Sequence, residues 1–406
     1  MSKVFPEEPI SAVTKVITSP VDKNTLPDEI PVFLCNYIDV YYNSTITGDM
    51  QFMEATATKN EIDRFSLRPN DVVITKDSES ADDIGVPTYI QSIRKNLLCG
   101  YHLAILRPKK NVDGKFLSFA LTHPRASYDF YRYANGITRF GLTNEVYRKV
   151  KIPLPSLPEQ KAIADLLSTW DEAIEKTERL IQAKEANLKG HIQRTMGNEA
   201  INANGWPMTR LGELFVEISR KVGERELIPY SISAGIGFVS QHEKWGKDIS
   251  GSQYKNYTHL KAGEFSYNKG NSKQYQQGCV YLLKDGEICV PNVFISFKPR
   301  TKNVVPEFFE HYFIANYHAR ELRRYITSGA RSDGLLNLNK KDFFKIMVPC
   351  PSPDEQKAIA EALTALQHEI DLLKQLADKY KAQKRGLMQK LLTGEWRIKP
   401  EIVQTF

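Results

Sequence analysis

The chain contains one segment twice. From Pro153 it reads PLPSLPEQKAIADLL and from Pro349 PCPSPDEQKAIAEAL, a separation of 349 − 153 = 196 residues, with EQKAIA identical in both copies. Duplication of this quality means that any fold must be read as two turns of one supersecondary unit. Each copy opens with a helix-start signal. Ser156 stands three residues before Glu159 and Ser352 three before Glu355, predicting two capping boxes, and Pro353 falls at the first helical position, where its missing N–H costs nothing. Beyond the caps, Ile163, Leu167, Trp170, Ile174, Thr177, Ile181, Lys184, Leu188, His191 and Thr195 keep 4-3 spacing. The second copy repeats the pattern with Ile359, Leu363, Leu366, Ile370, Leu373, Ala377, Tyr380, Lys384, Leu387 and Leu391. Such heptads predict a coiled coil. Lys184, His191 and Lys384 interrupt the seams, so the expected partner of each helix is the other one. At about 1.5 Å per residue, the stretch from Ile163 to Thr195 spans roughly 50 Å, the length of a spacer. Antiparallel pairing returns the chain to its first half, relates the halves by a pseudo-two-fold axis and brings the termini together.

The segments that precede the two helices echo each other more faintly. LRPNDVVITK (67–76) aligns with LKAGEFSYNK (260–269), and GITRFGL (136–142) with GARSDGL (329–335), both at an offset of 193. Short β-rich runs at Pro31–Val40, Asp71–Thr75, Tyr101–Leu106, Cys279–Leu283 and Val293–Phe297, with helical patterns at Phe116–Ala134 and Pro306–Thr327, predict α+β domains. The expected layout is a first globular domain over 1–152, a spacer helix over 153–198, a second domain over 199–348, a second spacer helix over 349–394 and a tail over 395–406.

Composition narrows the function. The chain has 406 residues, 41% hydrophobic, with a net charge of +7, a balance that permits a polyanionic partner without demanding one. Its five cysteines are widely spaced and never in CxxC, which argues against a disulfide framework or a thiolate zinc site. There is no long apolar run, so the expectation is a soluble cytoplasmic protein with reduced thiols. Catalytic motifs are missing: no P-loop, no HExxH, no GxSxG and no NPPY-like tetrapeptide. A lone GxG in Ala234-Gly-Ile-Gly-Phe238 is weak evidence for a cofactor loop, and the histidines are scattered.

What remains is a set of basic and polar loops. Thr138 and Arg139 lie between Gly136 and Gly141, after a stretch rich in tyrosine; the arginine fork either suits a phosphate or guanine edge or pairs with a local carboxylate. Lys269, Asn271 and Lys273 belong to a polar run that either contacts DNA or is a solvated loop. Lys76 and Arg94 in the first half, with Arg320, Arg323, Arg324 and Arg331 in the second, are candidates for phosphate contacts.

The alternation of a variable domain with a constant helix, the two EQKAIA segments, GITRFGL before the first and KRGLMQKLLTGEW near the end together resemble the DNA specificity (S) subunit of type I restriction-modification systems over essentially the whole chain. The resemblance implies an α+β fold with two globular target recognition domains separated by a long antiparallel two-helix coiled coil, pseudo-two-fold symmetric. Each domain would read one half of a bipartite asymmetric target in double-stranded DNA. The subunit itself would be non-catalytic, directing adenine methylation and restriction by two methyltransferase (M) subunits and by restriction (R) subunits, with no membrane partner. No cofactor or metal is expected in this chain; S-adenosylmethionine, ATP and Mg belong on the partners. The candidate DNA-binding residues, read from the basic and polar loops, are Lys76, Arg94, Thr138, Arg139, Lys269, Asn271, Lys273, Arg331 and Ser332, the last two by partial transfer from Thr138 and Arg139. The implied coiled-coil and partner residues are Ile163, Leu167, Trp170, Ile174, Ile359, Leu363, Leu366 and Ile370, and EQKAIA is expected to face a partner. The N-terminus lacks an opening like Trp206-Pro207, which makes Trp396-Arg397 a candidate to complete the first domain. The competing readings are a self-sufficient DNA methyltransferase or nuclease with an unrecognised motif, and a scaffold that spaces two proteins without touching DNA.

Overall fold

A computed structural model describes residues 5–22, 24–247, 251–270, 275–326 and 335–398. The two EQKAIA segments open two uninterrupted helices, Leu157–Met196 and Pro353–Leu392. None of the 4-3 positions named above is exposed in either helix. The chain forms two compact units, Met1–Thr177 with Leu376–Phe406 and Glu178–Gln375, so that each takes one half of each long helix, and the first long helix carries the chain from one unit into the next.

Inside each unit the two helix halves run antiparallel. In the first, Trp170 packs edge-on to Tyr380 with ring centroids 5.6 Å apart, and Asp171 accepts from Lys384. In the second, Lys184 meets Glu369 at 2.7 Å and Lys374 meets Glu185 at 2.6 Å. The lysines that interrupt the apolar seams are thus matched by carboxylates on the facing segment, which is how a polar residue in a coiled-coil seam fixes register.

The first unit carries a five-stranded sheet in the order Thr14–Thr18, Leu103–Pro108, Val72–Thr75, Pro87–Ile90, Thr45–Ile46, beside a three-stranded sheet of Met53–Ala57, Ile30–Cys35 and Leu97–Cys99. Period-two alternation splits its central strand between two cores. Val72 and Ile74 face Phe116, Leu117 and Phe130 together with Ile163, Leu167 and Leu391, whereas Val73 joins Leu103 and Ile105 on the opposite face. The second unit repeats the sheet as Phe215–Glu217, Ile295–Pro299, Phe265–Asn268, Cys279–Leu282. Here the equivalent core is aromatic: Phe265 stacks on Phe297 at 5.2 Å, and Phe215 meets both edge-on.

The 193-residue offset holds in backbone detail. Asn70 and Gly263 adopt the same left-handed turn (φ 75° and 80°). The next residues, Asp71 and Glu264, accept from the amides of Arg68 and Lys261 at 2.9 and 2.8 Å. Both carboxylates are buried and so need a cation; Arg107 supplies it to Asp71 through two bonds of 2.8 Å, and Arg220, in the loop that follows strand Phe215–Glu217, to Glu264 at 2.7 Å.

A further match went unseen in the sequence. Glu7–Pro9 pairs with Lys151–Pro153 as Met208–Arg210 pairs with Met347–Pro349, and the amides of Leu154 and Cys350 donate to the carbonyls of Pro6 and Pro207 at 2.8 and 3.0 Å. Phe5-Pro6 therefore holds the place of Trp206-Pro207, and both aromatic side chains are buried. Trp396 is 54% exposed, while Arg397 lies 4.6 Å from the Phe5 ring centre and grips both oxygens of Glu159 at 2.7 Å. The two ends of the described chain meet in the first unit.

Four expectations are corrected. Ser352 and Glu355 close a capping box, with Trp206 Nε1 adding a bond to Glu355 at 3.3 Å, but the first box stays open because Glu159 is taken by Arg397. Pro31–Val40 is not one strand: it ends at Cys35, and a capping box between Asn36 and Asp39 starts a helix at Tyr37–Tyr42. The helical patterns break, the first at His123-Pro124 and the second after Ile314, where Asn316 turns left-handed (φ 60°). Finally, EQKAIA, expected to face a partner, turns its Gln and its last Ala into its own unit. Gln160 and Gln356 are fully buried, as are Ala164 and Ala360, leaving Lys161 and Lys357 exposed. Gln160 accepts from the Asp113 amide at 2.9 Å and donates to the carbonyls of Asn111 and Pro155; Gln356 accepts from the Val305 amide at 2.9 Å and donates to the Pro351 carbonyl at 2.8 Å.

Candidate nucleic-acid interface

Three loops of the first unit converge on one carboxylate. The strand Val72–Thr75 continues into Lys76-Asp77-Ser78, the turn Gly100-Tyr101-His102 precedes strand Leu103–Pro108, and the loop 135–141 folds back on itself through paired amides of Asn135 and Gly141. Backbone bonds tie them together. The Lys76 amide donates to the His102 carbonyl at 2.8 Å, the Leu142 amide donates to the Lys76 carbonyl at 2.9 Å, and Phe140-Gly141 pairs with Asp77-Ser78. Gly136 (φ 141°) is required for closure, because a Cβ there would stand 1.9 Å from the Arg139 carbonyl oxygen. His102 is itself left-handed (φ 69°), an uncommon conformation for a residue with a Cβ, and one that is found at functional turns.

The side chains gather accordingly. Asp77 Oδ1 accepts from Arg139 Nη2 at 3.2 Å and contacts His102 Nδ1, and Asp77 Oδ2 lies 3.3 Å from Lys76 Nζ. Arg139 Nη2 also lies 2.8 and 2.9 Å from the two ring nitrogens of His102. Two permanent cations surround one carboxylate, so the cluster stays net positive. Arg139 remains 57% exposed while Asp77 is 17% exposed. Tyr101 packs against His102 with ring centroids 3.5 Å apart and is exposed on its other side, and Ile137 at the loop tip is 94% exposed. Beyond Ser78, Tyr41 donates to Asp83 at 2.8 Å and stacks on Tyr37. Burial raises the Tyr37 phenol and the Asp83 bond raises that of Tyr41, so both remain neutral donors.

Lys76, Thr138 and Arg139 therefore fall in one loop cluster of the first unit, with Thr138 and Arg139 exposed and Lys76 half-buried, and the arginine does pair with a local carboxylate. Arg94 lies elsewhere: its guanidinium sits 3.6 Å from the Phe33 ring centre, and among the described residues no hydrogen bond or ion pair joins it to the cluster. Asp77, Tyr101 and His102 were missed by the sequence reading. Their only local signal is the glycine-led turn between two apolar runs.

In the second unit Lys269 occupies the place of Lys76, its carbonyl accepting from the Leu336 amide at 3.0 Å, with Gly270 bridging to Leu335. The counterparts of Gly141-Leu142 are thus Leu335-Leu336, one residue beyond the 193 alignment. Asn271, Lys273, Arg331 and Ser332 lie outside the described residues. Arg320, Arg323 and Arg324 are exposed, and Arg324 pairs with Glu321 at 2.7 Å. The lone GxG is a hairpin turn between Tyr230–Ser233 and Gly237–Ser240, its Gly235 amide donating to Tyr281 at 2.8 Å. This hairpin presents exposed Ile236 and leads to exposed Trp245, above whose ring Lys244 stands at 4.9 Å.

Among the described residues no group of three His, Cys, Asp or Glu side chains is placed to hold a metal, and no helix is long and apolar enough to cross a membrane. The five cysteines are free thiols.

Comparison with known proteins agrees with this duplicated plan. The chain is 22% identical over 433 aligned positions to the EcoKI specificity subunit of a type I restriction enzyme from Escherichia coli, covering 97% of this chain and 91% of that one. It is 21% identical over 360 positions to the MjaVIII specificity subunit from Methanocaldococcus jannaschii, covering 82% and 80%. The crystal structure of the S subunit of a type I restriction-modification system from M. genitalium superposes with a TM-score of 0.60 at 18% identity over 97% of both chains, a likeness of fold. The family model for the type I restriction modification DNA specificity domain matches twice, at residues 32–185 and 234–381, well over half of the chain. The chain belongs to the family of type I restriction modification DNA specificity domains.

Proposed function

We propose that this chain is the DNA specificity subunit of a type I restriction-modification enzyme, each unit reading one half of a bipartite asymmetric duplex. The observation that carries this reading is the double match of the specificity-domain model, each copy spanning one sheet-bearing region and running into the helix that follows it. The Lys76, Thr138 and Arg139 surface suits a polyanion: Lys76 offers a point charge to phosphate, and Arg139 a planar fork to phosphate or base. Recognition is this chain's contribution. Methyl transfer to adenine and DNA cleavage fall to two methyltransferase subunits and to restriction subunits, which bring S-adenosylmethionine, ATP and Mg, in the cytoplasm. The 4-3 seams of the long helices serve as the spacer between half-sites.

The test is to map methylated adenines in DNA from cells that carry this chain together with its methyltransferase partner. The expected result is methylation confined to a single split, asymmetric sequence with a fixed gap. Methylation without sequence preference, or S-adenosylmethionine binding and methyl transfer by this chain alone, refutes the proposal.

A further inference from the structure

We infer that Arg139, oriented by Asp77, reads a guanine in the half-site taken by the first unit, which makes Asp77 a positioning residue for base specificity; this rests on the function proposed above. Arg139 is held at one end only. Its Nη2 donates to Asp77 and lies against the His102 ring, while among the described residues Nη1 and Nε have no protein partner. A guanidinium anchored in this way has already lost most of its rotamer freedom, so presenting its plane to a partner costs little further entropy.

Asp77 is placed to act through Arg139. It is 17% exposed, it is ringed by Lys76, Arg139 and His102, and a carboxylate facing phosphate would repel it. Its effect is geometric. The ladder to Gly141 and the Lys76-to-His102 backbone bond fix the Asp77 backbone, and the carboxylate transmits that rigidity to the arginine. A phosphate contact needs no such orientation, since a mobile lysine serves it equally well. Guanine O6 and N7 lie in one plane at a fixed spacing, and a plane-fixed arginine is matched to that pair.

The experiment selects duplexes from a random library with the full-length chain assembled with its methyltransferase partner, then measures discrimination at each base pair by competition. The variants are Arg139→Lys, which keeps the charge and loses the fork, and Asp77→Asn, which keeps the shape and loses the anchoring charge. The unmodified chain is expected to select a sequence with a G·C pair in one half-site. Both variants should relax that same pair by about 10- to 100-fold and leave the other half-site unchanged. If Arg139→Lys keeps full discrimination, or weakens all duplexes equally, Arg139 does not read a base. If Arg139→Lys relaxes the pair and Asp77→Asn does not, Asp77 does not position it. Should Asp77→Asn prevent folding, as judged by thermal melting, Asp77→Glu takes its place and is expected to retain the preference for the pair only in part; full retention counts against positioning. Absence of any sequence preference in the unmodified assembly overturns the proposed function and this inference with it, and is seen before any variant is compared.

Discussion

Replacing Gln356 with leucine tests how the globular part of the second unit is fastened to its helix. Leucine has a similar volume, so the change isolates hydrogen bonding from packing. It leaves the Val305 amide, which donates to Gln356 at 2.9 Å, and the Pro351 carbonyl, which accepts at 2.8 Å, without partners in a fully buried site. Each unmet group costs about 1–3 kcal/mol, and the two together roughly 2–5 kcal/mol after some relaxation. That is a large share of the roughly 5–15 kcal/mol that holds a domain folded. Urea unfolding gives the total, and native-state hydrogen exchange gives the location. The amides of Val305 and of the helix Pro306–Ile314 should lose protection, while those of Val72–Thr75 in the first unit keep theirs. A loss below about 1 kcal/mol, no larger than that of the exposed control Lys357→Ala, would show that the buried amide is not a fastening.

Three further outcomes follow from the structure. Arg397→Ala should destabilise the first unit by roughly 1–3 kcal/mol by stranding the buried Glu159 carboxylate, whereas Trp396→Ala, at a 54% exposed side chain, should cost less than about 0.5 kcal/mol; limited proteolysis of the two variants separates them. In the second unit burial pushes His318 down to about 3 and His311 down to about 4. Both folded values lie below the unfolded one near 6.5, so the unfolded state takes up more protons in acid. Stability is full above about pH 6.5 and declines toward pH 3–4, each histidine costing about 2 kcal/mol by pH 5. Chemical denaturation at pH 7 and pH 5 measures this, and His318→Gln should flatten the slope. Gly386 sits inside the second long helix with open space where a Cβ would be. Gly386→Ala should therefore raise stability by about 0.5–1 kcal/mol in a thermal melt.

The long helices were legible because their signal is local and periodic. One apolar stripe and one capping pattern locate them, and Pro353 opens its helix as its position requires. The 193-residue echo was legible where a turn pinned it, at Asn70-Asp71 and Gly263-Glu264. It drifted by one residue at Leu335 and Leu336, where only a long-range bridge sets the register. Phe5-Pro6 escaped notice because its match to Trp206-Pro207 lies at neither the 193 nor the 196 spacing and keeps only the aromatic character. The segment Tyr37–Tyr42 looks like a strand by residue type, and only the Asn36–Asp39 cap decides for helix. Lys76 and Arg139 were found as single basic residues, but their meeting was not. Asp77 reaches Arg139 across 62 residues of chain and His102 across 25, and no local pattern encodes those contacts.

The buried glutamines bear on why the repeat is constant while the domains before it are not. Among the described residues of the globular parts, Gln160 hydrogen-bonds only the main-chain atoms of Asn111 and Asp113, and Gln356 only the main-chain amide of Val305. Main-chain groups are common to every amino acid, so these hydrogen bonds place no demand on which side chains stand at 111, 113 and 305, and Asp113 and Val305 serve equally at equivalent places. At these hydrogen bonds a domain can be rewritten residue by residue, or exchanged for another of the same backbone course, and what it must still match is the apolar packing of Ile163, Leu167 and Leu391. The fixed letters of EQKAIA are a socket, and what the socket recognises is the path of the chain.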